Sequence, residues 1–144
     1  DLTGADIFPA NDGLYMYKIG DPLNAGNPQQ FTSPAEVASS VAVDGTWAYW
    51  TESIDGGPEF VVHRTQEATP DSTFQTPVDV IASAAFATDG VNIYYWNGTN
   101  VASRSVSGGP ETIIAPASAF TQIAVGGGLV VWTDGSTING AILP

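Results

Sequence analysis

The chain contains no cysteine, so neither a disulfide framework nor a thiolate metal site can form. Basic residues are almost as scarce: three Lys plus Arg stand against 15 Asp plus Glu, a formal net charge of −12 over 144 residues. A molecule so charged repels phosphate backbones and anionic lipid surfaces, which argues against nucleic-acid binding and electrostatic membrane docking. No apolar run approaches the roughly 18 residues of a spanning helix, so membrane insertion is not expected. The start, Asp1-Leu2-Thr3-Gly4, lacks the basic and apolar regions of a signal peptide. The expectation is a chain whose leader has been removed, or a part excised from something longer. Helical periodicity is missing as well: apolar positions follow period two or short runs.

What is present is a core-forming composition, 43% hydrophobic with four Trp, five Tyr and six Phe. That suits one compact folded unit rather than a disordered chain. The many acids read as a soluble surface suited to an extracellular or saline setting, or as attraction for a cation or a basic partner.

The segment Thr121 to Asp134 organises the rest. Ile123 and Val125 alternate with small or polar neighbours, Gly126-Gly127-Gly128 turn the chain, and Leu129 to Trp132 is a second β-prone run. Ser40 to Glu52 and Ala84 to Asn97 echo this hairpin, and Trp50, Trp96 and Trp132 anchor the copies at spacings of 46 and 36 residues. A period near 40 residues fits one four-stranded propeller blade. The expected fold is therefore all-β: four-stranded antiparallel blades of a β-propeller, about three and a half of them, in repeats near 5–36, 37–81, 82–118 and 119–144.

With blade strands lettered A to D from the inside out, the first repeat is expected to start at a strand B, Asp6 to Ala10, with C at Leu14 to Ile19 and D near Gln29 to Thr32. The second has Ser40–Val43, Trp47–Glu52, Glu59–Thr65 and Val78–Ile81. The third has Ala84–Thr88, Asn92–Trp96, Asn100–Val106 and Glu111–Ala115. The last has Gln122–Val125, Leu129–Thr133 and Thr137–Leu143, without a fourth strand.

Val41-Ala42-Val43-Asp44-Gly45 with Tyr49-Trp50-Thr51-Glu52, and Ile123-Ala124-Val125-Gly126-Gly127 with Val131-Trp132-Thr133-Asp134, resemble the YWTD repeat, and Tyr95-Trp96-Asn97 does so more loosely. The tails Phe60 to Arg64 and Val101 to Ala115 are similar to repeats of bacterial secreted YWTD-like or NHL-like propellers. The resemblance implies a fold rather than an activity. Such propellers close into a ring of usually six blades, whereas three and a half blades leave open edges that something must complete. The rest of a longer polypeptide, a different chain, a second copy or a compact four-bladed closure would each do so. The ending at Ile142-Leu143-Pro144 favours a segment of something longer.

Candidate functional residues are few. His63 is the only histidine, which excludes a His-pair metal site; it reads as a structural or surface residue. Lys18, Arg64 and Arg104, the three basic residues, align at one repeat position and read as clips between blades, stems on aromatics and heads on acids. Trp50, Trp96 and Trp132 read as packing between blades. Trp47 and Tyr15 fall off that register and are the aromatics expected at an exposed rim, together with the turn acids Asp44 and Asp89. Asp44 and Asp89 could also serve Ca²⁺, but no dense acidic loop occurs, and the expectation is no cofactor. Asn97-Gly98-Thr99 matches the N-glycosylation sequon.

These residues designate no catalytic constellation. The leading expectation is a non-enzymatic, secreted or cell-surface propeller module that binds a protein or glycan. The alternative is a structural component whose half-ring is completed by another chain or copy. A propeller lyase or hydrolase is the third reading.

Overall fold

A computed structural model describes residues 5–10, 13–18, 29–30, 38–44, 46–54, 57–66 and 76–143. Among them there is no helix, and 14 strands form four antiparallel sheets. The first sheet holds β1 (Ala5–Ala10), β2 (Gly13–Lys18) and β3 (Gln29–Gln30). The second holds β4 (Ala38–Val43), β5 (Trp47–Ser53), β6 (Phe60–Gln66) and β7 (Thr76–Ile81). The third holds β8 (Phe86–Thr88), β9 (Asn92–Trp96), β10 (Asn100–Ser105) and β11 (Thr112–Pro116). The fourth holds β12 (Gln122–Gly126), β13 (Leu129–Thr133) and β14 (Ile138–Ile142).

Each sheet is a meander in chain order, its strands pairing antiparallel with their neighbours in sequence. The first strands adjoin one another: β1 lies beside β4, β4 beside β8, and β8 beside β12. That corrects the expected lettering of the first sheet. Since β1 takes the place that β4, β8 and β12 take in theirs, it is a first strand and not a second.

Among the described residues two apolar layers lie between successive sheets, and the two-residue pleat decides which side chain enters which. Ile93, Tyr95 and Ala102 of the third sheet meet Tyr49, Val62 and Ile81 of the second. Tyr94 and Val101 point the other way and meet Val130 and Trp132 of the fourth. Thr51, fully buried, donates from β5 to the carbonyl of Ala84 at 2.9 Å and ties the second sheet to the approach to the third.

Pairing registers also correct the tryptophan set. Val41 faces Trp50, Ile123 faces Trp132, and Phe86 faces Tyr95. Counted from the turns, Tyr95 therefore holds the place of Trp50 and Trp132. Trp96 is one residue further on, on the opposite face, where it stacks with Phe120 at 6.3 Å and donates to the Ala117 carbonyl at 2.9 Å. The basic residues separate in the same way: Arg64 pairs with Tyr49, but Arg104 pairs with Ile93 rather than with Tyr94. A one-residue offset in a strand reverses the face, so the two arginines do not share a structural position.

The outer face of the fourth sheet is bare. Leu129 pairs with Ile142 and Thr133 with Ile138, which places these residues and Val131 on one side. Ile138 and Ile142 are 83% and 81% exposed. In the second and third sheets the matching face, marked by Tyr49 and Tyr94, is buried by the next sheet.

Candidate functional site

The turns between first and second strands carry the most organised polar chemistry. Asp44 Oδ1 accepts the backbone N–H groups of Thr46 and Trp47, both at 2.8 Å, and its Oδ2 accepts the Tyr49 hydroxyl at 2.9 Å. Asp89 repeats this arrangement with Val91 and Asn92 at 2.9 and 2.7 Å and the Tyr94 hydroxyl at 2.7 Å. An aspartate is suited to such a turn because its short carboxylate reaches the amides two and three residues on. Asp134 and Asn97 close the following hairpins through the same two amide contacts.

These contacts have electrostatic consequences. Burial, reinforced by the neighbouring carboxylate, pushes the Tyr49 and Tyr94 phenols up to about 12. At Asp89, partial desolvation acts to raise the carboxyl, but the Asn92 amide, the Tyr94 hydroxyl and the Val91 amide outweigh it and hold the group below its ordinary value. Asp89 therefore stays ionised through the physiological range.

The two turns differ in what lies over them. A side chain built at Gly90 would come within 3.2 Å of Asp44 Oδ2, so the third sheet presses its turn onto the second. The corresponding turn of the fourth sheet is Gly126-Gly127-Gly128, with φ of 59° at Gly127 and 77° at Gly128, and a side chain built at any of the three meets nothing within 4 Å. A groove of about 590 Å³ opens there, lined by Asp89, Asn92, Tyr94, Ile113, Val125, Leu143 and the three glycines among others. A second groove, of about 410 Å³, runs across the first strands past Ser40, Phe86, Gln122 and Ala124.

Among the residues named from sequence, Asp44 and Asp89 both stand at these turns, and Asp89 alone lines the larger groove. Trp47 is not the exposed rim residue expected. It is half-buried against the core, with the Arg64 guanidinium 4.5 Å over its ring. Arg64 thus does pack on an aromatic, within its own sheet. Trp50 is fully buried and Trp132 nearly so. Tyr15 and Lys18 lie on β2, and their side chains are outside the described residues. The Asn97 Nδ2 of the sequon donates to Glu111 Oε1 at 2.7 Å.

His63 is buried in β6. Its ring stacks on Trp50 at 5.5 Å, and Nε2 lies 3.3 Å from Glu52 Oε2. Among the described residues no group of three or more metal-ligating side chains gathers.

Tyr49 and Tyr94 escaped the sequence reading. Their signal was there, as Asp-Gly followed by Tyr five residues after the Asp at both Asp44 and Asp89. In the fourth sheet Gly126 and Val131 stand at the corresponding places, so the acid and its tyrosine are missing together.

No protein-family model matches the chain, and no curated protein matches it. A solved prolyl endopeptidase is similar in fold, with a TM-score of 0.58 and 14% identity, over 98% of this chain and 30% of that one. The chain thus spans about a third of the length of that enzyme, and likeness at this identity speaks to fold.

Proposed function

We propose that the chain is an arc of a β-propeller that binds a protein or glycan and performs no catalysis, in a secreted or cell-surface setting. Four meander sheets with adjoining first strands support the propeller reading, as do the YWTD-like and NHL-like repeats. The observation that carries the proposal is the fate of the chain's polar groups. His63 is packed under Trp50, and Asp44 and Asp89 close turns, while the grooves stand open to a ligand. Thermal denaturation against a panel of glycans and peptides checks it: a ligand that raises Tm without being altered is expected. Turnover of a peptide or glycan that disappears in His63→Ala would overturn it.

The bare face of the fourth sheet favours a second reading alongside the first. An apolar face of this kind is normally covered, and the burial of the matching face of the second and third sheets by the next sheet supports another sheet as the cover. We read the arc as completed by a further chain or a second copy.

A further inference from the structure

The groove beside Asp89 exists because one repeat departs from the others. Where the second sheet meets the third, Gly90 closes over Asp44, which is half-buried. Where the third meets the fourth, the triple glycine withdraws, and Asp89 is left exposed with one oxygen committed to two amides and the other to a single tyrosine hydroxyl. A carboxylate oxygen has room for a further donor beyond one hydroxyl.

Val125 and Leu143 of the fourth sheet form an apolar wall, Asn92, Ser103 and Thr112 of the third sheet line the other side, and Asp89 is the one charged residue among the groove's lining residues. A channel with one apolar wall that ends on a single carboxylate matches a side chain with an aliphatic stem and a cationic head. The charge of the whole chain, −12, draws such a group in.

We infer that the groove between the third and fourth sheets is a recognition pocket for a lysine or arginine side chain of a protein ligand, its head on Asp89 Oδ2 and its stem along Val125 and Leu143. This rests on the binding reading above and names the chemistry of the ligand. A monosaccharide would also satisfy Asp89, but it finds no aromatic platform here: Tyr94, the aromatic of the lining, is buried.

The test is an NMR titration of the ¹⁵N-labelled chain with Nα-acetyl-lysine methylamide, with the norleucine analogue and glucose as parallel probes. Shifts centred on Gly126, Gly127, Gly128 and Val125 are expected with lysine, and about fivefold or weaker binding with norleucine. Asp89→Asn keeps the turn acceptor and should weaken lysine binding to the norleucine level, while Asp44→Asn should leave it unchanged. Gly126→Trp fills the groove from open space and should abolish the shifts. Equal binding of norleucine, shifts mapping elsewhere, or a response to glucose without one to lysine would each overturn the inference. A ligand found at another surface would still leave the binding reading standing, whereas turnover by His63 would overturn that reading and not this pocket.

Discussion

The Tyr49 hydroxyl donates to Asp44 Oδ2 at 2.9 Å, five residues back along the same hairpin, and the carboxylate it holds packs against Gly90 of the next sheet. One hydrogen bond thus fixes a turn and a sheet junction together. Tyr49→Phe is expected to cost about 1–1.5 kcal/mol, the usual net value of a buried hydrogen bond. Tyr94→Phe should cost less, because Asp89 is exposed and water replaces the hydroxyl. Urea denaturation of the two variants measures the difference.

Both phenols are pushed up to about 12, by burial first and by their aspartates second. A folded-state pKa above the unfolded one means that the unfolded chain loses the proton first. The stability contributed is therefore whole below about pH 10, the unfolded value, and is lost as pH rises towards 12. Absorbance titration at alkaline pH should show these two tyrosines ionising late and together with unfolding.

Asp89 behaves in the opposite sense. Its folded value is depressed, so its contribution is present above the ordinary carboxylate pKa and disappears as pH falls through the folded value. Asp89→Asn is expected to flatten the acid limb of a plot of Tm against pH. The effect should be small, since the group is exposed and screened.

Gly90 and Gly127 separate backbone strain from contact. Both have positive φ, 84° and 59°. Gly127→Ala meets open space and should cost about 1 kcal/mol for the left-handed backbone alone. Gly90→Ala must also displace Asp44 from 3.2 Å, and about 2 kcal/mol or more is expected. Denaturation midpoints of the two variants check the order.

Much of the strand layout is legible in the sequence. The bounds of β9 and β13 follow from the residues alone, since aromatic and β-branched runs end cleanly at Asn, Gly or Asp turns. Registers are harder. Tyr94-Tyr95-Trp96 offers aromatics on both faces of the pleat, so matching Trp96 to Trp50 is natural and one residue off. Counting from Asp44 and Asp89 instead puts Tyr95 in place. Matching Lys18 to Arg104 displaces the first sheet by one strand; the Asp-Gly pair at Asp12-Gly13, where β2 begins, and at Asp89-Gly90, just ahead of β9, is the better guide. The groove was beyond reach of local reading, because Asp89 and Gly126 to Gly128 meet only when two sheets are laid side by side.

Completion of the arc by a second copy, one of the two proposed, is the case that the isolated chain can reveal by itself. The solution mass of the isolated chain by light scattering tests it most directly. The account predicts a particle heavier than the 14.9 kDa of one chain, returning to 14.9 kDa in Ile138→Asp/Ile142→Asp, where the charges spoil the uncovered face. A monodisperse 14.9 kDa species for the unaltered chain, unchanged in mass and Tm by those substitutions, would contradict it.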